Sequence, residues 1–203
     1  MNKLKTGDII PFGEYDWRVL DVQEDRALII TENVVEQRPY NTKNTGVTWE
    51  TCDLRKYLND EFLSKLDSPR IVLTHNQNPD NPWYDGDGGS NTKDNVFLLS
   101  LDEVVKYFGD SGDLKNRKGW ECYKDGKALL KDGNGWLLND QYNNSRVACG
   151  INNEACLWWL RSPGVNDTAV MVLEDGFIYV CGFIVNDSYG VRPALWLNLC
   201  GGN

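Results

Sequence analysis

From Leu157 to Leu197, short apolar runs recur between clusters of Gly, Asn and Asp, a spacing that strands joined by tight turns satisfy. Strands are predicted over Leu157–Arg161, Ala169–Leu173, Phe177–Val185 and Val191–Leu197, with turns at Pro163–Asp167, Glu174–Gly176 and Asn186–Gly190. Successive side chains of a strand face opposite sides of its sheet. Across Phe177–Ile184, one face therefore carries Phe177, Tyr179, Cys181 and Phe183, and the other carries Ile178, Val180, Gly182 and Ile184. A strand that is bulky on both faces is either buried twice or leaves one face open. An open aromatic row marks an interaction surface, because rings supply contact area at small entropy cost. Composition alone does not choose between the two.

The rest of the chain supplies more strands and two helices. Asp8–Phe12, Asp16–Val22 and Ala27–Asn33 read as a meander with turns at Gly13-Glu14 and Glu24-Asp25. The period then lengthens: Leu54, Tyr57, Leu58 and Phe62 fall at helical spacing, with Thr51 as N-cap and Ser68-Pro69 as the stop. Ser100-Leu101-Asp102-Glu103 has the form of a capping box, Val104, Val105 and Phe108 continue its apolar stripe, and Gly109 fits the position after the helix. Arg70–Thr74 and Val96–Ser100 are expected as strands flanking a long loop, Asn76 to Asp94. Asp110 to Asn153 reads as irregular, anchored by Trp120 and Trp136. The plan is α+β, with two helices and antiparallel sheets, rather than alternating β-α-β.

The 203 residues are 41% hydrophobic and include 8 Trp, enough for one sizeable core, and no linker or low-complexity run divides them. One domain over 1–203 is expected. The net charge of −9, with no basic patch interleaved with aromatics, excludes nucleic acid as an expected partner and disfavours an anionic membrane surface. The longest apolar run, Phe177 to Val185, is far short of the ~20 residues of a membrane helix, so no membrane insertion is expected. The first residues carry no apolar stretch of the secretory type, and a soluble chain without a signal peptide is expected. The cysteines, Cys52, Cys122, Cys149, Cys156, Cys181 and Cys200, contain no C-x-x-C pair, and His75 is the only histidine, so no metal is expected to be held by thiols. Most are expected reduced and buried, with Cys149 and Cys156 as the pair best placed to bridge.

Trp158-Trp159-Leu160-Arg161-Ser162-Pro163-Gly164, followed by Gly190-Val191-Arg192-Pro193-Ala194-Leu195-Trp196-Leu197, resembles the C-terminal signature of a bacterial domain family of unknown function. That family is similar to a branch of the C-type-lectin-like fold shared with formylglycine-generating enzymes and with the variable proteins of diversity-generating retroelements. Trp17-Arg18-Val19-Leu20, Arg38-Pro39-Tyr40-Asn41, Trp49, Leu54-Arg55-Lys56-Tyr57-Leu58-Asn59 and Val96-Phe97-Leu98-Leu99-Ser100 extend the resemblance over nearly the whole chain.

The resemblance implies a C-type-lectin-like fold with a variable-type binding region at about 158–197. Its fixed frame would be Ala169, Val172, Gly176, Ile178, Gly182, Val185 and Gly190. Its exchangeable, ligand-binding set would be Val165, Asn166, Asp167, Thr168, Leu173, Asp175, Phe177, Tyr179, Cys181, Phe183, Asn186, Asp187, Ser188 and Tyr189. Retroelement diversification replaces adenines, and most of this set is reachable from Asn codons, whereas Met171 and Glu174 are not. The implied function is ligand binding and display, not enzymatic catalysis, toward a protein or other macromolecule, with no cofactor. Display on a cell surface or a virion is compatible with it. Phe177, Tyr179, Phe183 and Tyr189 would anchor the partner, rimmed by Asp167, Asp175, Asn186 and Asp187.

Two alternatives follow from the same kinship. A formylglycine-generating-type enzyme would need copper-binding thiols, and Cys181 and Cys200 lie in the corresponding region without forming a close pair in sequence. A calcium-dependent carbohydrate-binding module would use Asn78-Pro79-Asp80 and Val185-Asn186-Asp187, with donors from Asp85 and Asp87. The same tripeptides are also ordinary turn chemistry. Arg161 and Arg192 are expected as hydrogen-bond donors to loop carbonyls. Trp17, Trp49 and Trp196 are expected in the core, and Trp158 and Trp159 are expected to split between core and surface.

Overall fold

Alternating apolar residues at both ends of the chain build two sheets, and the helices pack between them in sequence. The computed structural model describes residues 3–84, 86–116, 123–124, 127–128 and 136–200. In chain order the strands begin with β1 (Ile9–Phe12), β2 (Tyr15–Val22), β3 (Arg26–Thr31) and β4 (Glu36–Pro39). A helical stretch follows as α1 (Asp53–Tyr57), a π-helical turn (Leu58–Phe62) and α2 (Leu63–Leu66). Next come β5 (Ile71–Val72), β6 (Thr74–Asn76), β7 (Thr92–Asp94), α3 (Leu101–Phe108), α4 (Asp113–Asn116), β8 (Tyr123–Lys124), β9 (Lys127–Ala128), β10 (Leu137–Leu138) and α5 (Asn143–Arg146). The last part holds β11 (Trp158–Pro163), β12 (Thr168–Val172), β13 (Ile178–Ile184), β14 (Ser188–Val191) and β15 (Ala194–Asn198).

One sheet has the order β1-β2-β3-β15-β5, and the other β10-β13-β12-β11-β14-β4; β6–β7 and β8–β9 are separate pairs. The architecture is α+β and mostly sheet. The pairing is antiparallel except between β11 and β14, which run parallel where Trp158 faces Gly190. That departs from the all-antiparallel expectation. Buried side chains of both large sheets, the first helical stretch and α3 form one apolar cluster, with Trp17, Trp49, Trp158 and Trp159 at most 1% exposed. Trp196 belongs to it as well.

The two expected helices form, with local differences. The first is capped by Cys52, whose Sγ accepts from Arg55 N at 3.4 Å, not by Thr51, whose hydroxyl lies 3.4 Å from the Thr48 carbonyl. Its π turn coincides with Asn59, whose amide donates to the Arg55 carbonyl, four residues earlier, and to the Val96 carbonyl. A side chain competing for helix carbonyls loosens the turn in this way. The second helix has the complete capping box, with Ser100 and Glu103 exchanging side-chain and backbone bonds. α4 and α5 are single turns inside the region read as irregular.

Three expected strands change. Arg70–Thr74 breaks at Leu73 between β5 and β6, which belong to different sheets. Val96–Ser100 makes only an isolated bridge, Phe97 to Ala194. Side chains claim much of its other backbone: Asn59 takes the N–H and carbonyl of Val96, and Arg161 takes the Leu98 carbonyl. Val191–Leu197 breaks at Arg192-Pro193 into β14 and β15, which belong to different sheets. Proline has no N–H to give a ladder, and here its carbonyl accepts from Thr31 N as the chain crosses over.

Candidate functional site

The candidate surface is the outer side of the β12–β13 hairpin with the turns around it. Its inner side is closed: Ala169, Val172, Ile178 and Val185 are at most 1% exposed, and Gly176, Gly182 and Gly190 are buried. Two of these glycines are dictated by backbone. Gly182 has φ +77°, and a Cβ there would lie 2.4 Å from the Ala169 carbonyl, at the bulge between β12 and β13. Gly176 has φ +82° at the hairpin turn, where a Cβ would meet the Asn143 carbonyl at 1.9 Å. Positive φ with backbone at that range admits glycine alone.

All residues of the predicted ligand-binding set keep some solvent contact. Asn166, Asp167, Asp175, Asn186, Asp187 and Ser188 are exposed, and Val165, Thr168, Leu173, Phe177, Tyr179, Cys181, Phe183 and Tyr189 are half-buried. The rings assemble into a row: Tyr179 and Phe183 have centroids 4.7 Å apart, and Phe183 and Tyr189 are 5.5 Å apart. The row continues inward, from Tyr189 to Trp159 at 5.2 Å, to Tyr40 at 5.7 Å and to Trp49 at 6.2 Å. Phe177, Leu173 and Asp175 lie at the hairpin turn, where Asp175 Oδ1 accepts from Phe177 N at 3.1 Å. Thr168 is set apart from the rest, because its hydroxyl sits 2.7 Å from the Val165 carbonyl and 2.6 Å from the Cys181 carbonyl. It pins the loop to β13, which makes it part of the frame.

Trp158 and Trp159 do not divide between core and surface. Both are fully buried on opposite faces of β11, Trp158 donating to the Arg146 carbonyl and Trp159 to the Arg38 carbonyl. Tyr40 and Tyr189 cover the Trp159 ring, so neither tryptophan meets solvent.

The support behind the hairpin comes from the Asn76–Asp94 loop. The Asn81 amide donates to the carbonyls of Pro163 at 2.7 Å and Val180 at 2.9 Å, while its Oδ1 accepts from Trp83 N and Tyr84 N. Sequence reading missed Asn81, and it missed the Thr42–Thr48 loop at the rim. Asn41 N donates to the Val185 carbonyl, and Asp167 Oδ1 lies 3.0 Å from where a Cβ on Gly46 would stand. Thr42 fixes that loop by two bonds to Asp53, and its hydroxyl and N–H hold the Asp53 carboxyl below its ordinary pKa. The run of small polar residues after Asn41 was the only signal available.

Other expected chemistry is spoken for within the fold. Asn78 donates to the Ser90 carbonyl and accepts from Arg161 Nε, Asp80 accepts from Gly88 N, and Asp87 accepts from Gly89 N. These bonds fold the loop on itself and tie it to β11. Among the described residues no group of three or more His, Cys, Asp and Glu gathers, and Asp85 lies outside them. Arg161 donates to the carbonyls of Leu98 and Gln77 and pairs with Glu103, and Arg192 donates to the carbonyls of Thr31 and Glu32. Both arginines are thus carbonyl donors, as read. His75 is exposed on β6.

Cys149 and Cys156 do not bridge. Cys149 pairs with Ala155, and Cys156 N donates to the Ala148 carbonyl, so the two are one step out of register and on opposite faces of their ribbon. Cys52 is buried, which pushes its thiol up to about 12. Cys181 lies on β13 and Cys200 follows β15, a strand of the other sheet; Cys122 and Trp120 lie outside the described residues. Among the described residues no helix is long and apolar enough to cross a membrane. No curated protein and no solved structure matches the chain significantly. Residues 24–199 match a family model described as "Domain of unknown function (DUF6273)", and by that match over most of its length the chain belongs to the DUF6273 family.

Proposed function

We propose that this chain is a ligand-binding display domain of C-type-lectin-like type, and that it recognises a protein or other macromolecule through the outer side of β13. One observation carries the reading: Tyr179, Phe183 and Tyr189 form a contiguous, half-buried row over a closed frame. Rings already held by their neighbours lose little freedom when a partner covers them, so more of the contact energy appears as affinity. The exposed carboxylates of Asp167, Asp175 and Asp187 edge the row, the arrangement of an apolar centre within a polar rim.

The test is a panel of displayed peptides, folded domains and glycans probed with the chain and with a variant carrying Tyr179→Ser, Phe183→Ser and Tyr189→Ser. Binders of the parent are expected to be lost from the variant while its circular dichroism is unchanged. Undiminished binding by a folded variant would remove this surface from consideration. Diversification has its own check in the flanking DNA. A near-repeat of the codons for the late hairpins, differing at adenines and beside a reverse transcriptase, is expected; its absence restricts the proposal to an invariant binding surface.

A further inference from the structure

On the other face of β11 from the aromatic row lies a cavity of about 300 Å³ with two arginines in its lining, Arg18 and Arg192. Arg192 is 2% exposed and lies between two rings, its guanidinium 5.0 Å from Trp158 and 5.4 Å from Phe108. Its Nε and Nη2 donate to the main-chain carbonyls of Thr31 and Glu32 at 2.8 and 2.9 Å. Nη1 has no hydrogen-bond partner among the described residues. A guanidinium keeps its charge at neutral pH, and burial lowers the pKa of this one only to about 10.

The nearest carboxylate is already engaged. Glu32 is held by a two-pronged pair with Arg18, Nε to Oε2 at 2.7 Å and Nη2 to Oε1. Two cations and one anion leave an excess of one positive charge, and no ion pair to Arg192 forms among the described residues. A buried charge without a counter-ion is costly. Two carbonyls and two ring faces offset part of that cost, and they leave the Nη1 amino group and one charge unanswered.

We propose that this cavity binds a small monocarboxylate, whose single charge balances the excess and whose oxygens accept from Arg192. Thr6 and Asn144 line the cavity and are exposed, which places neutral donors at its mouth, while Leu20, Phe108 and Val147 give an apolar wall for a short aliphatic or aromatic remainder. A dianion such as phosphate overshoots the charge and finds no second free cation in this lining. Nη1 is itself enclosed, so binding of the proposed carboxylate to it requires a small outward shift of the lining.

The test is calorimetric titration of the whole chain with benzoate and butyrate, against benzamide, butyramide and inorganic phosphate. The acids are expected to bind and the amides not. Two half-exposed positions then read the electrostatics in opposite directions without removing the buried arginine. Arg18→Gln releases Glu32 to neutralise Arg192, and is expected to weaken the acids about tenfold; Glu32→Gln adds to the excess, and is expected to strengthen them by a similar factor. Circular dichroism confirms that both variants are folded. Equal binding of acids and amides, phosphate binding tighter than the acids, or folded variants that bind the acids like the parent would each overturn the proposal.

Discussion

Asp94 closes a long loop onto the first helix through four donors. Its carboxylate is fully buried and accepts from Arg55 Nε at 2.6 Å, Trp49 Nε1 at 3.1 Å, Asn76 Nδ2 at 2.8 Å and Thr92 Oγ1 at 2.6 Å. Asp94→Ala is expected to lower stability by about 3–5 kcal/mol, since it leaves Arg55 and buried neutral donors unanswered; urea unfolding measures it, and a loss under 1 kcal/mol would contradict this role. Asn81→Ala removes donors from two carbonyls and is expected to cost about 1–3 kcal/mol, with the largest loss of amide-exchange protection in residues 163–168 and 178–182. Neither residue was legible in the sequence, because the partners of Asn81 lie 82 and 99 positions away and those of Asp94 up to 45. Arg161 and Arg192 were legible as carbonyl donors, since an arginine in a strand-rich stretch full of turns has loop carbonyls within reach of its charged donors.

Elements whose signals are local came through intact, and those decided by distant side chains did not. The capping box at Ser100 needs only residues three apart, and the helix it begins is α3. Ser100→Ala is expected to cost about 1 kcal/mol and to lower the thermal midpoint by a few degrees; an unchanged midpoint would mean that tertiary contacts alone hold α3. The late hairpins were legible by their period of two, but the period did not say which side of β13 is closed, and Ile184, at the end of the closed side, is exposed. Val96–Ser100 was misread as a strand because nothing local announces Asn59 and Arg161 as its partners. For α5, burial raises the pKa of Asp140, but the Arg146 guanidinium and the Tyr142 N–H outweigh it and hold the carboxyl below its ordinary value. Asp53 is held low by Thr42. A carboxyl with a depressed folded-state pKa stabilises fully above its ordinary value of 3.8 and loses that contribution as pH falls through the lower folded value. Stability is therefore expected to be level in these groups above pH 4 and to drop below it, with Asp140→Asn flattening part of the acid limb of a pH–stability curve.

At the level of the molecule, Arg192-Pro193 ties the two large sheets together in a single step: Val191 pairs with Glu36 in one, and Ala194 with Ile30 in the other. β11 stands between Trp158 on one side and Trp159 on the other, both inside the common core. Tryptophan emission and far-ultraviolet dichroism are expected to report one coincident urea transition; separated midpoints would show that the sheets unfold independently. The mixed α+β plan was legible from the changes of period, whereas the parallel contact of β11 with β14 was not, because strand order depends on contacts between segments far apart in sequence. The Asn81 clasp has a practical consequence for protein engineering. It grips Pro163 and Val180 by their carbonyls, which every amino acid possesses, so this clasp does not depend on the exposed side chains the hairpin carries. A combinatorial library randomised at the exposed positions 186, 187 and 188, with the packed Tyr179, Phe183 and Tyr189 retained, should therefore yield mostly well-expressed, monodisperse clones, making this hairpin a ready chassis for selecting new binders.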